Sequence, residues 1–581
     1  MFKWLIHSFA GIRHNFHTYF VYEILSVLLT SFIWVPTYTF IYKKTLHWMG
    51  TDALINNRVL NVVLNYKGML GIAAIFLLCL MVIFVQIGLL IIISQKSCFH
   101  KEITLTDALF FVVQRVPRFF RLGILFILPF FLLFILITQS PLLEVVTDKY
   151  NVQIFLSNQL SISKVHLFVY CLIFVTLIYF LLRSLFAMHF IILKGQGTSK
   201  AIVSSFRITR RKGILMVLYL FLFNAVLLLV GFGMMYGITW VIKLLVVQIT
   251  NPLISNFLLT LSSFLLNILL LIFFPFNVIL VTNMFYRYTD PRETPEDEVI
   301  VRNHTRLSGL ENKAVTFFQK KKYLLFLTLA VYMTVTFLAN YAFSQQLFNW
   351  DIHVASHRGD SQTPENSLSG IREALAKGVQ GVEIDVQMTK DGVIVLNHDD
   401  TLKRVAGVDK EVSDLTFAEV RQLEIGSSLG LTGERIPTLD EAIQEVKGKG
   451  FLIIDIKSKS NPDDIAQKIV DLIISNNMQS DTYVQSFYPS ALKAVRNVNP
   501  DIRIGQILTA LTGDLSVLDV DFYTINQNMV SDEFITSAHM LGRGVWVWTV
   551  NSDRNIREII KYPVDGIISD NPERVMELMA E

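Results

Sequence analysis

Cysteine is scarce in this chain. Only three cysteines occur among its 581 residues, at Cys79, Cys98 and Cys171. Since none follows residue 171, the C-terminal half offers neither disulfides nor thiolate chemistry, and cysteine usage does not decide its redox compartment. The N-terminus also lacks a short apolar run followed by a small-residue cleavage site, so we expect no cleaved signal peptide.

Charge is scarce as well. Charged residues make up 17% of the chain and hydrophobic residues 52%, whereas soluble proteins carry about 25% charged residues. The net charge of +3 is too small to imply a nucleic acid partner. Nearly all long apolar runs lie before residue 345. We therefore expect a membrane domain over residues 1–345 and a soluble domain over residues 346–581.

The first domain contains about seven apolar runs that are long enough to cross a bilayer. A spanning helix needs about 20 apolar residues, and the candidate runs are 20–42, 69–94, 122–143, 166–193, 214–239, 257–286 and 323–343. This predicts an all-α polytopic domain of the cell membrane, in contact with membrane lipids.

The orientation follows from the connections between these runs. Lys and Arg are concentrated in alternate connections, at 95–121, 194–213 and 287–322. Because positively charged loops stay in the cytoplasm, the N-terminus is predicted to lie inside. Seven crossings then place everything after residue 345 outside the cytoplasm, a result that depends on the odd count.

The periodicity changes in the second domain. From residue 351 onward, nine short β-branched runs alternate with helical stretches, a pattern typical of a parallel sheet. About 230 residues with eight such units fit an α/β fold of the (β/α)8 TIM barrel type. The run 393–396 follows a hairpin-like turn, so we assign it as an additional strand outside the barrel. In such a barrel, catalytic groups lie at the C-terminal ends of the strands.

Two histidines fall at predicted strand ends. The first strand ends at His357 and Arg358, where an imidazole suits acid–base catalysis near neutral pH and a planar guanidinium suits a phosphate. Asn366, in the next loop, is a candidate N-cap for the following helix. His398 follows the additional strand and supplies the second half of an acid–base pair.

Three acidic residues predict a metal site. Glu383 and Asp385 alternate on one strand and so point to the same face, where their charges repel unless a cation lies between them. Asp455, at the end of a later strand, is a third candidate ligand, and Lys457 is a candidate contact for a phosphate oxygen. A plain ion pair between these last two residues fits equally well. Hard oxygen ligands suit Mg²⁺ or Ca²⁺.

Trp548 lies on a strand near the end of the chain. Its ring would form an apolar wall for a glycerol or lipid group, although simple packing explains a tryptophan there equally well. The sequence contains no nucleophile elbow and no Gly-Lys-Ser/Thr phosphate loop. Metal-assisted cleavage of a phosphodiester is the chemistry that these residues support.

Several of these motifs resemble the glycerophosphodiester phosphodiesterases. The similarity covers about residues 351–581 and runs through His357-Arg358-Gly359, Pro364-Glu365-Asn366-Ser367, Glu383-Ile384-Asp385-Val386, Lys390-Asp391-Gly392 and His398-Asp399. It continues more weakly through Asp455-Ile456-Lys457, Trp548-Thr549-Val550-Asn551 and Gly566-Ile567-Ile568-Ser569-Asp570. The apolar half resembles the membrane domain that is fused to such enzymes in some Gram-positive bacteria.

The resemblance implies a barrel that hydrolyses a glycerophosphodiester to glycerol 3-phosphate and an alcohol. It also implies an acid–base pair, His357 and His398; metal ligands, Glu383 and Asp385; and phosphate contacts, Arg358 and Lys457. The family usually has Glu where this chain has Asp455. Because Asp is shorter by one methylene, the reach of this ligand, the metal preference and the substrate choice stay open.

Two alternatives also stay open. The same barrel could act as a phospholipase D-like enzyme or trim the polyglycerolphosphate of lipoteichoic acid, since membrane tethering favours a lipid-linked or wall-linked substrate. The chain could instead be a transporter or scaffold whose barrel only binds a ligand, although a binding module needs no acid–base pair.

Overall fold

The structure is a computed structural model that describes residues 13–119, 164–246, 274–289, 305–321, 351–426, 432–458 and 461–581, with a few isolated positions besides. These residues form two compact units. The first unit contains most of the apolar half. The second contains residues 351–581 together with residues 43–69. The domain limits at residues 345 and 346 stay a prediction.

Long helices dominate the apolar half. The described α-helices are Phe16–Leu29, Val35–Met49, Asn61–Leu64, Tyr66–Cys98, Leu105–Val113, Val116–Phe119, Lys164–Arg183, Ala187–Ile192, Thr198–Val246 and Thr305–Lys320, and a π-helical turn, Thr30–Trp34, joins the first two. Residues 274–288 are also helical. Ile91, Ile92 and Ile93 are fully buried, so the helix Tyr66–Cys98 is covered on all sides near its C-terminal end.

Two helical stretches of the described residues are long and apolar enough to cross a membrane. They are Phe16–Met49, which includes the π-helical turn, and Tyr66–Cys98. The sequence predicts about seven spans, and the described part of the chain does not reproduce that number. One reason is that the predicted span 122–143 and most of 257–286 lie outside the described residues. Another is that the run 166–193 is divided between two helices.

Eleven strands occur in the described residues. In chain order they are β1 Ala53–Ile55, β2 His353–His357, β3 Gly381–Met388, β4 Ile394–Leu396, β5 Phe451–Ile456, β6 Thr482–Ser486, β7 Arg503–Leu508, β8 Leu511–Gly513, β9 Phe522–Asn526, β10 Gly544–Trp548 and β11 Gly566–Ser569. Eight of these pair in parallel in the order β2-β3-β5-β6-β7-β9-β10-β11, and β11 pairs with β2 to close the ring. The predicted (β/α)8 barrel is confirmed.

Three short strands lie outside the ring. Strand β4 pairs antiparallel with the end of β3, with Leu396 opposite Val386, which confirms the additional strand predicted at 393–396. Strands β1 and β8 pair antiparallel with each other. Neither was predicted, because each has only three residues and no periodic pattern of its own.

Helices cover the outside of the barrel. They are Leu368–Ala376, Lys403–Ala406, Phe417–Val420, Leu439–Val446, Pro462–Ser475, Pro489–Val498, Asp532–Met540, Asp553–Ile559 and Pro572–Ala580. The first of these is capped by Ser367, whose hydroxyl accepts from the Gly370 amide at 3.0 Å. The expectation that Asn366 is the cap is wrong, because its side chain is used elsewhere.

Aromatic rings close the N-terminal end of the barrel interior. Each ring lies over a glycine of a neighbouring strand, in the pairs Phe451 over Gly381, Phe522 over Gly505 and Trp546 over Gly566. A Cβ atom at any of these glycines would lie within 2.2 Å of the ring. The glycines therefore make room for a packed floor, and the polar residues above it face the C-terminal rim.

Candidate active site

Strand register brings the predicted site residues together. His357 lies opposite Glu383 in the β2–β3 pair, and Asp385 lies opposite Asp455 in the β3–β5 pair. Neighbouring parallel strands in register point equivalent side chains to the same face. These groups therefore collect near the C-terminal ends of β2, β3 and β5, the edge at which barrel enzymes carry their chemistry.

A cavity opens at this edge, with an empty volume of about 530 Å³. Its walls include seven of the eight predicted site residues, namely His357, Arg358, Glu383, His398, Asp455, Lys457 and Trp548. The eighth, Asp385, is fully buried and is ion-paired to two of the lining residues. The structure thus places the whole predicted set in one region, and the role of each residue stays a prediction.

Each histidine is held by a carboxylate. His357 Nδ1 lies 2.5 Å from Asp570 Oδ1, and His398 Nδ1 lies 2.7 Å from Asp399 Oδ1. Arg404 in turn contacts Asp399, with Nε 2.7 Å from Oδ2. Such partners fix the orientation of an imidazole and leave its Nε2 for a reacting group. Asp399 and Asp570 are absent from the predicted site set, although both stand in the motifs that carry the family resemblance.

The two imidazoles differ in their affinity for a proton. Burial alone would lower the pKa of His357, but the hydrogen bond to Asp570 and the nearby Glu383 carboxylate outweigh it and raise this pKa above its ordinary value. Burial lowers the pKa of His398, and the opposing effect of Asp385 does not reverse the shift. Compared with an ordinary imidazole, His357 therefore holds its proton more tightly and His398 holds its proton less tightly.

Asp385 organises the cations of the site. Its Oδ2 lies 3.0 Å from Arg358 Nε and its Oδ1 lies 3.0 Å from Lys457 Nζ. Asn366 donates to Oδ2 from Nδ2 and accepts from the Asp385 amide, both at 2.9 Å. Burial would raise the pKa of Asp385, but Lys457 and Arg358 lower it. This carboxylate therefore stays ionised despite full burial.

Two residues with left-handed backbone shape the loop after β2. Arg358 has φ 64° and Asn366 has φ 55°, a conformation that costs about 1–3 kcal/mol for a residue other than glycine. The Arg358 amide donates to the Glu383 carbonyl at 2.8 Å, and the Asn366 amide donates to the Arg358 carbonyl at 2.9 Å. These bonds hold both side chains over Asp385, which is the physical reason that Asn366 does not cap the helix.

Glu383, Asp385 and Asp455 form a buried acidic cluster, with one oxygen of each within 4.8 Å of the others. Glu383 Oε2 and Asp455 Oδ1 are buried and have no hydrogen-bond partner among the described residues. Burial raises the pKa of Glu383 to about 8, with the Asp385 charge adding to the effect. Burial also raises the pKa of Asp455 to about 6, against the attraction of Lys457. A divalent cation would satisfy both oxygens and stabilise the ionised forms, so the residues fit a metal.

Lys457 and Trp548 shape the rest of the wall. Lys457 Nζ lies 2.5 Å from Asp455 Oδ2, which is the ion pair that the sequence left open. Trp548 packs edge-to-face on Phe487, with ring centroids 5.7 Å apart, and its Nε1 is buried without a partner among the described residues. The tryptophan thus combines packing with a place in the cavity wall.

Polar residues on β6 and β9 also line the cavity. Thr524 donates from Oγ1 to Gln485 Oε1 at 2.7 Å, and Gln485 Nε2 lies 3.4 Å from Glu383 Oε1. Sequence reasoning did not include them in the site. Their signal was a polar side chain on the inward face of a barrel strand.

Comparison with known proteins covers both halves of the chain. Residues 357–574 match the Glycerophosphoryl diester phosphodiesterase family, and residues 5–334 match the Membrane domain of glycerophosphoryl diester phosphodiesterase.

Individual relatives match the barrel half. A glycerophosphodiester phosphodiesterase of Caldanaerobacter subterraneus is 33% identical over 237 residues, covering 39% of this chain and 97% of the relative. A putative glycerophosphodiester phosphodiesterase of Bacillus subtilis is 28% identical over 236 residues, covering the same shares. Among solved structures, an Oleispira antarctica phosphodiesterase in complex with the product sn-glycerol-3-phosphate is 26% identical, with a TM-score of 0.37 over 39% of this chain and 97% of that chain.

The membrane-domain match spans more than half of the chain, and the barrel matches the phosphodiesterase family itself. The chain therefore belongs to the glycerophosphodiester phosphodiesterase family, in its membrane-anchored type, and is an enzyme that hydrolyses glycerophosphodiesters.

Proposed function

We propose that His357 and His398 are the acid–base pair of this hydrolysis, acting on a phosphodiester bound in the cavity between them. The observation that carries the proposal is that both imidazoles line the cavity that also contains the acidic cluster and two cations. General acid–base catalysis by positioned side chains accelerates a reaction by about 10²–10⁴-fold.

The opposite pKa shifts support different roles for the two histidines. His357, whose pKa is raised, would protonate the leaving oxygen. His398, whose pKa is lowered, would take the proton of the attacking hydroxyl or water. The carboxylates of Asp570 and Asp399 keep each ring in one tautomer, because a hydrogen bond at Nδ1 determines which nitrogen faces the substrate.

The cations of the site suit the phosphate group. Arg358 lines the cavity and is anchored at Nε by Asp385. Its Nη1 lies 3.5 Å from Glu365 Oε1, so Nη2 is the terminal nitrogen that would contact a phosphate oxygen. Lys457 also lines the cavity. Burial works against its charge, but Asp455 and Asp385 outweigh this and raise the pKa of Lys457. Donors that are fixed before the reaction stabilise the charge that develops in the transition state.

Glu383, Asp385 and Asp455 are the proposed ligands of Mg²⁺ or Ca²⁺. The buried oxygens of Glu383 and Asp455 that have no hydrogen-bond partner among the described residues support this assignment, and so does the approach of one oxygen of each of the three residues to within 4.8 Å of the others. A bound divalent cation would supply charge neutralisation for the phosphate oxygens. The protein contributes a buried, oxygen-only site, which is the environment that these hard cations prefer.

Trp548 and Phe487 are the proposed contacts for the organic part of the substrate. Both line the cavity, and their rings form its apolar side. A glycerol or lipid alcohol group would lie against them while the phosphate lies toward the charged side.

We also propose that the membrane domain is multi-pass and that the barrel lies outside the cytoplasm. The distribution of Lys and Arg between alternate connections supports this orientation. Membrane attachment favours a substrate carried by a lipid or by the cell wall, such as a lysophospholipid or polyglycerolphosphate.

A substrate panel tests the proposal. The full-length protein would be assayed with glycerophosphocholine, a lysophospholipid and polyglycerolphosphate, in Mg²⁺, in Ca²⁺ and in chelator. We expect metal-dependent release of glycerol 3-phosphate from at least one glycerophosphodiester. Undiminished hydrolysis in chelator would contradict the metal assignment, and free phosphatidic or lysophosphatidic acid as product would favour the phospholipase D-like alternative.

A further inference from the structure

The barrel departs from its repeating pattern between β7 and β9. Every other pair of consecutive ring strands is joined through at least one helix, whereas residues 509–521, all of them described, contain no α-helix. In its place the chain forms β8 and a 3-10 turn, Leu515–Val517. This crossover therefore lacks the helix that would normally cover the strands beside it.

The place of the missing helix is taken by residues from the other end of the chain. Strand β1 pairs antiparallel with β8, with Leu54 opposite Thr512 and Ile55 opposite Leu511. Leu54 and Ile55 are each only 8% exposed, and Ile55 belongs to the hydrophobic core of the barrel. The contact is therefore a packed interface rather than a surface touch.

Hydrogen bonds of Asn56 stabilise this contact at the C-terminal end of β1. Its amide donates to the Ala510 carbonyl at 2.8 Å, and its Nδ2 donates to the Ile507 carbonyl at 3.0 Å. Its Oδ1 accepts from the Thr509 amide at 2.7 Å and from the Thr509 hydroxyl at 3.1 Å. The backbone of Asn56 has φ 53°, which Asn tolerates better than most residues.

These bonds reach the wall of the catalytic cavity. Ile507, whose carbonyl accepts from Asn56, is one of the residues that line it. Residues 507–510 also lie at the C-terminal end of β7, the edge at which the site opens. Asn56 is thus placed to position one side of the cavity without touching the reacting atoms.

The partner segment lies between two helices that are candidates to span the membrane, Phe16–Met49 and Tyr66–Cys98. At its ends the rings of Trp48 and Tyr66 lie 6.1 Å apart, and Lys67 Nζ lies 5.6 Å from the Trp48 ring. Tryptophan, tyrosine and lysine concentrate at the bilayer surface. Both ends of the segment therefore meet the same membrane face.

We propose that residues 53–56 are a docking strand, by which the first connection of the membrane domain completes the β7–β9 crossover and positions the Ile507 wall of the cavity. The barrel must then lie on the same face of the membrane as this connection, so the number of crossings between Tyr66 and Asp351 is even. Asn56 follows Trp48 by eight positions in the chain, which limits the distance between them to about 28 Å. The docking strand itself would accordingly stay within that distance of the Trp48 end of the connection.

Disulfide trapping in the full-length chain tests the docking. Leu54→Cys and Thr512→Cys would be combined in a background with Cys79, Cys98 and Cys171 replaced by Ser. Opposite residues of an antiparallel pair have Cα atoms about 4.5–5.5 Å apart, inside the range of roughly 4.4–6.8 Å that a disulfide spans. We expect mild oxidation to give a linked peptide by mass spectrometry. Leu54→Cys with Ile474→Cys, on an exposed position of another barrel helix, should give none.

Sidedness is tested separately. Single cysteines at Asn57 and Asp519, both exposed, would be treated with a membrane-impermeant maleimide in intact cells. We expect both to react or both to be protected. Labelling of one alone, or absence of the linked peptide, would overturn the docking strand. Neither readout requires activity, so a failed acid–base assignment would not be mistaken for a failed docking strand.

Asn56→Gly tests the positioning role, because glycine keeps the left-handed backbone while removing the side-chain bonds. We expect kcat/KM to fall about 3- to 10-fold with little change in metal-dependent stabilisation. Asn57→Ala, a change of the exposed neighbour, should leave kcat/KM unchanged. Equal rates for Asn56→Gly and the unmodified enzyme would overturn the positioning role.

Discussion

His357 and Asp570 connect the two ends of the barrel domain: their Nδ1 and Oδ1 atoms lie 2.5 Å apart although 213 positions separate them in the chain. The contact is possible because β2 and β11 are neighbours in the ring, with Ser569 opposite Ser356. Closing the barrel thus orients the first histidine. The orientation of the His357 imidazole therefore depends on the last strand as much as on the first.

The pH profile of kcat/KM is expected to be bell-shaped. His398 must be neutral to accept a proton, and its lowered pKa places the acid limb below the ordinary histidine value of about 6.5. His357 must be protonated to donate, and its raised pKa places the alkaline limb above that value. Activity should therefore be greatest between the two limbs. A profile with a single limb would contradict the paired assignment.

Asp570→Asn should move the alkaline limb to lower pH. The amide cannot stabilise the imidazolium as the carboxylate does, so the pKa of His357 falls toward the value that burial alone would give. The acid limb should stay in place, since Asp399 still holds His398. The measurement is kcat/KM against pH for both enzymes.

A surface His–Asp pair gives the matched control. His539 Nε2 lies 2.8 Å from Asp565 Oδ2, and neither residue lines the cavity. Asp565→Asn should leave both limbs where they are. A limb that moved equally in the two variants would show that a general electrostatic change, rather than the His357 contact, causes the effect.

His357→Ala and His398→Ala should each reduce kcat by about 10²-fold or more. Each ring lies at the edge of the barrel and outside its main hydrophobic core, so the melting temperature should change little. Circular dichroism and thermal unfolding of the purified full-length variants would check the fold. His539→Ala is the control that should retain full activity. Full activity in either site variant would refute the acid–base assignment.

The barrel could be predicted from sequence because its signal is local. Each strand is a short β-branched run, and a helix or loop follows it at a regular distance. The grouping of Glu383, Asp385 and Asp455 then follows from alternation on a strand and from the rule that catalytic groups lie at strand ends. The additional strand β4 could also be predicted, because a hairpin-like turn precedes it.

Long-range contacts had no comparable signal. Strand β1 pairs with a strand more than 450 positions away, and the neighbouring Asn56 contacts Thr509 over a similar separation. A strand of three residues has no periodic pattern that would predict this pairing. The error at Asn366 has a related cause. Asn and Ser are both good caps, and only the position of Asp385 in the fold shows that the asparagine is needed there. The number of membrane crossings likewise depends on residues outside the described ranges.

Glu383→Gln and Asp455→Asn should weaken metal binding. The unmodified protein should gain several degrees in melting temperature on addition of Mg²⁺ or Ca²⁺, because a ligand that binds only the folded state stabilises it. Each variant removes one carboxylate charge from the cluster, so the gain should shrink. Asp464→Asn, which removes an exposed partner of Lys468, should keep it. Equal gains in all four proteins would contradict the assigned ligands.

Asp455→Glu is a gentler change at the same position. It introduces the residue that the family usually carries, with one more methylene in an otherwise unchanged cluster. We expect this variant to keep metal-dependent stabilisation while altering the ratio of activity in Mg²⁺ to that in Ca²⁺, because the two cations differ in radius and in tolerance of geometry. An unchanged ratio would show that ligand length does not determine the metal preference.

Trp546 and Trp548 separate stability from substrate binding, because they stand two residues apart on β10 and so point to the same side. Trp546 is 3% exposed and packs in the aromatic floor, whereas Trp548 lines the cavity. Trp546→Ala should therefore destabilise the barrel by about 3–5 kcal/mol, seen as a lower melting temperature. Trp548→Ala should mainly raise KM, and more for substrates with a bulky alcohol group. If Trp548→Ala lowered the melting temperature as much as Trp546→Ala and left KM unchanged, the residue would be a packing element, and another part of the cavity would have to contact the alcohol.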